Sequence, residues 1–353
     1  MIRSFSQNDL SAVIRLWNDA VDAGEVVFSP MTEDLFSQKF LRHPNADPSL
    51  YFVAEEEDVL QGFVLGMEKK SFLPKETAQS TPGYLLALFV SREYRGQGVG
   101  RGLLDQLEAA FQARGKELIS CGGAGPVDLP WRIPGTPGHD HNSVPGMDES
   151  CAGYPFLQSL GYHPVVHEVA LYLNLNDYCP LDGLAEKRAR LEAEGIQVGP
   201  YDAALGYDYD GMCDRVGSEY WRAVLRSEIA CHLAHCPNPD PQFWVDGLEP
   251  AGPRSLLVAV CHPARAIVAQ AGPVAVQRSG RGWFTGICTD PLYERKGIAT
   301  VLFNALMQEF IAQGAQFSTI FTGAENHARK VYERTGFRPV RSFAIMRKSL
   351  SAR

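Results

Sequence analysis

The sequence predicts an α/β chain made of two tandem units, each with a mixed sheet flanked by helices. Three observations support this prediction. The chain has 353 residues, and at roughly 150 residues per domain such a length gives about two domains. A segment near residue 95 recurs without gaps 199 positions later. Strand-like and helix-like patterns alternate in the same order around both copies of that segment.

The composition excludes several classes of protein. Hydrophobic residues make up 45% of the chain and charged residues 21%, which is typical of a folded globular protein. No apolar run approaches the roughly 20 residues that a spanning helix needs, and the N-terminus shows no apolar export signal. A net charge of -8 argues against nucleic acid or an anionic membrane as a partner. Eight cysteines scattered through so long a chain favour free thiols in a reducing cytoplasm.

The repeat preserves a loop, the buried face of a helix and the end of that helix. Phe89–Gly100 matches Cys288–Ala299. The apolar residues after each loop recur at helical spacing, and a glycine follows where the helix should end. The matched pairs are Val99 and Ile298, Leu103 and Leu302, Leu107 and Leu306, Phe111 and Phe310, and Gly115 and Gly314.

The elements of both units follow one order. A helix-rich start, with a capping-box pattern at Ser6–Asp9 in the first unit, precedes three strands. The repeated loop and helix, a fourth strand, a short helix and a closing strand then follow. The strands predicted in the first unit are Leu50–Ala54, Leu60–Met67, Tyr84–Val90, Glu117–Cys121 and Glu168–Leu173. Those predicted in the second are Leu256–Cys261, Ala266–Val276, Trp283–Cys288, Gln316–Phe321 and Ser342–Arg347.

Polar residues between the units set the predicted boundaries. We expect a first domain at 1–178, a linker at 179–198 with a helix over Asp182–Glu194, and a second domain at 199–353. Gly122–Gly146 breaks the symmetry, because it has eleven Gly or Pro among 25 residues and no counterpart of that length in the second unit. So long a loop is usually functional or disordered. We interpret it either as a lid or pocket wall, or as a surface on which the second domain docks.

The repeated loop is suited to bind an anion. The amide N–H groups of a glycine-rich turn and the dipole of the following helix together create positive potential. Glycine at 98 and 100 lets the backbone approach a ligand without a Cβ in the way. The dinucleotide pattern fails because Gly100 is followed by Arg101-Gly102-Leu103, and the P-loop pattern fails because no Gly-Lys-Ser/Thr follows.

Arg95–Gly100 (Arg-Gly-Gln-Gly-Val-Gly) resembles the acyl-CoA pyrophosphate loop of the GNAT superfamily of N-acetyltransferases. That pattern is Gln/Arg-x-x-Gly-x-Gly/Ala after an apolar strand. Glu294–Ala299 is similar to it in the second unit, and Ala328–Phe337 resembles the superfamily's short helix that ends in Tyr-x-x-x-Gly-Phe. The resemblance covers nearly the whole chain, once per unit. It implies two tandem GNAT-like acyl-CoA-binding domains, acetyl-CoA as co-substrate and a small-molecule amine as acceptor.

The resemblance also implies site residues. Strand residues that would pair with the pantetheine arm are Leu88, Phe89 and Val90, and Ile287, Cys288 and Thr289. Arg95 begins the first loop, and amides that would hold the pyrophosphate belong to Gly96, Gln97, Gly98, Val99, Gly100 and Arg101. In the second unit they belong to Arg295, Lys296, Gly297, Ile298, Ala299 and Thr300. Tyr332 would give a proton to the departing CoA thiolate.

The units depart from the pattern in complementary ways. Glu294 stands where the first loop has Arg95, and a carboxylate repels a pyrophosphate, although the two basic residues after it offset the repulsion. Leu157 stands where the second unit has Tyr332, so the first unit lacks the implied proton donor. We therefore expect chemistry in the second unit, with a first unit that binds CoA or acts as a scaffold; the reverse assignment is the alternative. The alternative function is a non-catalytic acyl-CoA sensor or structural pseudoenzyme.

Four acidic sites have simpler interpretations. Asp290 and Glu325 are near the expected cleft, but solvated turn residues are the more ordinary reading of both. Asp148 is either a base in the first unit or the cap of the short helix after it. Glu55–Asp58 is charged enough to look catalytic, yet it lies between two strands and fits a hairpin turn.

Cysteine and histidine clusters do not predict a metal site. Cys231–Cys236 has the residue types of a zinc site, but no second pair with matching spacing occurs elsewhere, so a packed helix end is the better interpretation. The same argument applies to His139–His141. Cys288 fits a buried strand thiol better than a nucleophile, since nothing nearby in the sequence lowers its pKa. We expect no metal, and a monomer or a homodimer.

Overall fold

The computed structural model describes residues 1–72, 76–123, 125–217, 255–284 and 286–350. The Cys231–Cys236 motif lies outside these residues. The chain forms two compact units. Unit 1 comprises Met1–Ala170 and Arg341–Arg353, and unit 2 comprises Leu171–Val340. No helix in the described ranges is long and apolar enough to cross a membrane.

Strands and helices alternate along both units, which confirms the predicted α/β class. The strands are β1 (Ile2–Ser4), β2 (Tyr51–Glu56), β3 (Val59–Met67), β4 (Gly83–Val90), β5 (Leu118–Cys121), β6 (Trp131–Arg132), β7 (Asp140–His141), β8 (Met147–Asp148), β9 (His163–Asn174), β10 (Ile196–Pro200), β11 (Ser255–Cys261), β12 (Ala266–Val276), β13 (Arg281–Trp283), β14 (Gly286–Thr289), β15 (Phe317–Gly323) and β16 (Arg338–Ser349). The α-helices are α1 (Leu10–Asp22), α2 (Glu33–Phe36), α3 (Val99–Ala113), α4 (Gly153–Ser159), α5 (Leu184–Ala193), α6 (Asp210–Arg215), α7 (Ile298–Ala312) and α8 (Arg329–Arg334).

Unit 1 is a mixed sheet with the order β1-β2-β3-β4-β5-β16. β4 and β5 run parallel, and the other neighbours pair antiparallel. α3 covers one face of the sheet with a buried stripe that includes Leu103, Leu107 and Phe111. The predicted hairpin turn is confirmed between β2 and β3, where Glu57 and Asp58 have φ of 50° and 62°.

Unit 2 repeats this order with β10, β11, β12, β13 and β15. β14 also pairs with β12, and Leu171–Asn174 of β9 belong to unit 2, where β9 neighbours β15. β13 and β15 run parallel, as β4 and β5 do. α5 occupies the predicted linker and contacts α7. A Cβ added at Gly282 would lie 2.6 Å from the ring of Phe310, as one at Gly83 would from the ring of Phe111.

Two expectations about strands are wrong. The predicted strand Trp283–Cys288 is divided into β13 and β14. The closing strands do not stay in their own units, because β16 pairs with β5 of unit 1, with Met346 opposite Cys121. Alternating apolar residues identify a strand but do not specify its neighbour. Since both units have the same pattern, each closing strand fits either sheet.

The glycine-rich segment Gly122–Gly146 forms part of unit 1. Its Trp131 is fully buried and forms a bridge with Phe28. The Ser29 N–H donates to the Pro130 carbonyl at 2.9 Å, and the Arg132 N–H donates to the Val27 carbonyl at 2.8 Å. Residues 130–132 of the segment therefore pair with the chain that follows α1.

Gly83→Ala should destabilise unit 1, because the new methyl group would overlap the Phe111 ring and overpack the interface between β4 and α3. We expect the free energy of unfolding to fall by about 1 to 3 kcal/mol. Gly199→Ala is the matched control, since nothing lies within 4 Å of a Cβ added to that strand glycine. Denaturant unfolding of both variants measures the difference, and equal stability would contradict the described packing.

Candidate functional site

The first loop makes a concave backbone turn at the start of α3. Gly96 and Gly98 have φ of 74° and 87°, a left-handed conformation that glycine adopts readily. Nothing lies within 4 Å of a Cβ added at either position. No side chain caps α3 at its N-terminal end. A turn of this kind before an uncapped helix is suited to bind an anion, and the amides from Gly96 to Arg101 remain the predicted ligands.

Arg95 anchors this loop instead of pointing into it. Its Nη2 lies 2.6 Å from Glu25 Oε2, and its Nε donates to the Val90 carbonyl at 3.0 Å. Arg92 donates to the same carboxylate. These hydrogen bonds, first of all those from Arg95, hold the pKa of Glu25 below its ordinary value. Gln97 likewise bonds within the loop, because its Nε2 donates to the Glu93 carbonyl at 2.7 Å.

The second loop repeats the backbone of the first. Arg295 and Gly297 have φ of 61° and 90°, in the places of Gly96 and Gly98. A non-glycine residue in this conformation costs on the order of 1 to 3 kcal/mol and is typical of functional sites. No side chain caps α7, which begins at Ile298. The second turn is thus shaped like the first, although Arg295 is not a glycine.

Basic side chains surround the second loop. Lys296 Nζ lies 2.6 Å from Glu194 Oε2, just after α5. Arg190 of α5 has its Nη2 3.9 Å from a Cβ added at Gly297. Glu294 itself is exposed. The sequence did not indicate Arg190, because α5 lies more than a hundred residues from the loop.

In unit 1 the strand before the loop separates from its parallel neighbour. β4 pairs with β5 at Gly83 and Tyr84 only, yet it continues to Val90. A register shift opposite Leu65 and Gly66 places a bulge in β4. Leu88, Phe89 and Val90 pair with β3 on one edge and have no β5 partner among the described residues. An extended ligand with amide groups fits such an edge.

In unit 2 the strand before the loop also separates from its parallel neighbour, but through a break in the strand. β13 pairs with β15 at Arg281 and Gly282. Ile287, Cys288 and Thr289 then continue on β14, which pairs with β12. The strand is interrupted where unit 1 has a bulge, and its edge toward β15 is open among the described residues.

Two buried threonine hydroxyls lie at this opening. The Oγ1 atoms of Thr289 and Thr322 are buried and make no hydrogen bond in the part of the chain that the structure describes. Both lie on the α7 side of the sheet. Thr322 comes four residues after Ser318 in β15, so the two side chains lie on the same face. Ser318 pairs with Gly282, where an added Cβ would meet the ring of Phe310 in α7. Thr289 neighbours Cys288, which packs on the opposite, α6 side.

These hydroxyls provide a test of fit for an acyl-CoA. A buried hydroxyl normally has a partner, so two without one indicate a missing polar ligand. The pantetheine arm has amide groups that meet this need. The sequence had pointed to Thr289 but not to Thr322, which the 199-residue offset aligns with Gly123. Threonine in place of that glycine is the sequence feature that could have identified Thr322.

Tyr332 lies on α8 against the long helix of unit 2. Its ring centroid is 4.9 Å from that of Phe303 in α7 and 6.5 Å from that of Phe337. Burial raises the pKa of Tyr332 to about 12, so the hydroxyl stays protonated at neutral pH. It makes no hydrogen bond within the described residues. A neutral donor with no protein partner is suited to give a proton to a ligand.

Unit 1 has no equivalent of this tyrosine. Leu157 takes its place and is buried. The ring of the neighbouring Phe156 lies 3.3 Å from a Cβ added at Gly100, so a larger residue at that position would crowd this ring. Unit 1 therefore has the glycine turn but an apolar side chain where unit 2 has a hydroxyl.

The candidate carboxylates have structural partners or lie in solvent. Asp290 is buried, accepts from Arg215 Nε at 2.9 Å and caps the turn at Leu292, and these hydrogen bonds hold its pKa low despite burial. Asp148 accepts from the Ser150 N–H at 2.9 Å. Glu325 is exposed. None of the three is placed as an unpaired base.

Metal chemistry finds no support in the described residues, where no group of three or more His, Cys, Asp and Glu side chains could hold an ion. His141 instead stacks on Trp131, with ring centroids 6.1 Å apart, and its Nδ1 accepts from the Ser143 N–H. Cys288 is half-buried in β14 and packs against the apolar cluster beside α6.

Family models match both units. Residues 14–125 match the acetyltransferase (GNAT) family, and residues 257–348 match an acetyltransferase (GNAT) domain. Together these segments cover more than half of the chain, and each contains one of the two loops. No curated protein matches the chain.

Solved structures show the same fold over the whole chain. One is a GCN5-related glucosamine N-acetyltransferase region of a fungal multi-domain GH3 β-N-acetylglucosaminidase, at TM-score 0.63 and 19% identity. It covers 99% of this chain, which spans 38% of that protein. A GCN5-related N-acetyltransferase from Sphaerobacter thermophilus matches at TM-score 0.62 and 14% identity, covering 100% of this chain and 96% of its own.

A third structure shares the tandem arrangement. It is the tandem GNAT protein from the clavulanic acid biosynthesis pathway, at TM-score 0.57 and 13% identity, and covers 100% of this chain and 99% of its own. At such low identity these likenesses concern the fold alone. The two loops, the opened parallel strands and the two family matches lead to one conclusion: the chain belongs to the GNAT acetyltransferase family and carries two of its domains in tandem.

Proposed function

We propose that this chain is an acetyl-CoA-dependent N-acyltransferase that acts on a small-molecule amine in a reducing cytoplasm, with its chemistry in unit 2. The observation that supports unit 2 is the neutral, buried Tyr332, whose hydroxyl has no partner in the described residues. Thr289 and Thr322 lie on the same side of the sheet, also without partners. Unit 1 has an equivalent loop but no such donor, so we assign it CoA binding or a scaffold role.

Acetyl-CoA supplies an activated acetyl thioester, from which the acetyl group passes to the amine as a C–N bond forms and the C–S bond breaks. The amides of Arg295–Thr300 hold the pyrophosphate, assisted by the guanidinium groups of Arg190 and Arg295. The edge at Ile287–Thr289 aligns the pantetheine arm. The Thr289 and Thr322 hydroxyls bind its polar groups, which fixes the thioester in position.

Tyr332 acts on the leaving group. Its hydroxyl holds a proton at the sulfur as the thiolate departs, and the raised pKa ensures that the proton is present across the neutral and mildly alkaline range. The amine must lose a proton as it attacks. Because Asp290 is paired and Glu325 is exposed, a water relay is the route that the described residues favour for that proton.

The alternative is a non-catalytic acyl-CoA sensor or structural pseudoenzyme. Glu294 beside the second loop and Leu157 in unit 1 motivate it. Such a protein would bind acetyl-CoA tightly and transfer acetyl to no amine. The hydroxyl of Tyr332 would then have no kinetic role, which separates the two functions experimentally.

Gly98→Val should weaken acetyl-CoA binding to unit 1, because a branched side chain would stand at φ 87° where phosphate oxygens approach. We expect at least about a tenfold rise in Kd, or about 1.4 kcal/mol. Gly115→Val is the matched control, since Gly115 ends the same helix at φ 78° with equally open space. Titration calorimetry on the full chain, in a Gly297→Val background, isolates the first loop. Unchanged affinity in Gly98→Val would remove this loop from the site.

Tyr332→Phe should slow acetyl transfer by roughly 10- to 1000-fold at pH 7, because the phenyl ring keeps its packing and only the proton donor is lost. The Kd for acetyl-CoA and the Tm should barely change. The defect should shrink as the pH rises, since a thiolate near its own pKa needs less protonation. Steady-state kinetics from pH 7 to 9 measure this.

Tyr162→Phe serves as the control for Tyr332→Phe. Tyr162 is also buried, but its hydroxyl donates to Glu108 Oε1 at 2.9 Å in unit 1. Its loss should lower the Tm and leave the rate unchanged. Normal turnover by Tyr332→Phe at pH 7 would contradict the placement of chemistry in unit 2.

A further inference from the structure

Gln270 is a glutamine in β12 whose buried side-chain amide has no hydrogen-bond partner among the described residues. Its relative exposure is 0%. Neither Nε2 nor Oε1 makes a hydrogen bond within the described residues. Burying an amide without partners is costly, so such groups are rare unless a ligand or water completes them. This side chain plays no part in the binding of acetyl-CoA derived above.

Gln270 lies on the strand next to β14, along which we propose that the pantetheine arm is aligned. It lies opposite Cys288 of β14 on one side and opposite Val258 of β11 on the other. Directly opposite residues in antiparallel strands share a face and have Cα atoms about 5 Å apart. Gln270 therefore lies on the face away from Thr289, beside the strand along which the pantetheine arm is aligned.

Unit 1 fills the equivalent place with aromatic rings. Phe63 lies opposite Phe89 there, as Gln270 lies opposite Cys288. The Phe63 and Phe89 rings stack at 5.1 Å, and Phe89 stacks on Trp17 at 4.9 Å. All three are buried. This face of unit 1 is a closed apolar core, whereas unit 2 has an unpaired amide and a half-buried thiol in the same two places.

The surroundings of Gln270 limit the chemistry of its partner. The buried cluster on this face consists of apolar and sulfur-containing side chains, among them Met212 and Val258, and the rings of Tyr201, Tyr207 and Tyr209 pack against it. The ion pair of Arg215 with Asp290 is already satisfied on both sides. An amide in such a setting offers one donor group and one acceptor but no charge. It matches a neutral group that both donates and accepts, such as a hydroxyl or a carboxamide.

We infer that Gln270 binds a neutral hydroxyl or carboxamide of the acceptor amine and selects such acceptors over their apolar isosteres. This inference rests on the proposed function of unit 2. A site that hydrogen-bonds a substrate group discriminates strongly against an analogue without it, because the analogue leaves the buried amide unpaired. Gln270 is thus the residue that sets acceptor specificity.

The test measures kcat/KM of the full chain with acetyl-CoA and two matched pairs of amines. The pairs are 2-aminoethanol with propylamine, and 3-aminopropanamide with 3-methylbutylamine. We expect wild type to prefer the polar member of a pair by about 100-fold or more. Gln270→Leu should abolish that preference. It should also raise the Tm by about 2 °C or more, since an unpaired polar group has been removed from the interior.

Gln277→Leu is the matched control. Gln277 is also buried, but its Oε1 accepts from Arg281 Nη1 at 3.0 Å. Its replacement should lower the Tm and keep the preference for polar amines. Three results would each overturn the role of Gln270 and leave the proposed function standing. They are transfer to both members of each pair at equal rates, a preference that survives in Gln270→Leu, and a lower Tm in that variant. Transfer to none of the four amines would contradict the proposed function and this inference together.

Discussion

Both units depend on a backbone turn that places two left-handed residues ahead of a helix with no side-chain cap. Gly96 and Gly98 form it in unit 1, and Arg295 and Gly297 form it in unit 2. Among the described residues no side chain caps α3 or α7, so their first amides are suited to bind an anion. The buried faces of the two helices fix their direction, since each crosses a strand glycine at van der Waals contact. The loop, the helix and the strand glycine that the helix crosses therefore depend on one another, and both units contain all three.

The two units share this turn and helix but differ in the side chains around them. Unit 1 packs stacked rings on one face of its sheet and has Leu157 where unit 2 has Tyr332, so it lacks that hydroxyl donor. Unit 2 retains three buried polar side chains without described partners: Gln270, Thr289 and Thr322. Unpaired buried groups destabilise a fold. Their presence on both faces of the unit 2 sheet is explained if ligands complete them, with the acyl donor on one face and the acceptor on the other.

The sequence was sufficient to predict local structure, but it did not show which distant strands and side chains lie next to each other. The hairpin turn at Glu57 and Asp58, the helix after each loop and its terminal glycine follow from periodicity and turn chemistry. The placement of β16 in unit 1 does not, because identical alternation suits either sheet. Arg190 reaches the second loop from a helix that is distant in sequence, so no spacing rule identifies it. Thr322 and Gln270 are recognisable only after the two units are aligned strand by strand, when a hydroxyl replaces Gly123 and an amide replaces Phe63.

A crystal structure of the full chain soaked with acetyl-CoA tests the central claim most directly. The account predicts acetyl-CoA in unit 2, with its pyrophosphate on the amides of Arg295–Thr300, its pantetheine amides bonded at Thr289 and Thr322, and its sulfur within hydrogen-bonding distance of the Tyr332 hydroxyl. Acetyl-CoA bound in unit 1 alone, with no ligand beside Tyr332, would contradict the account.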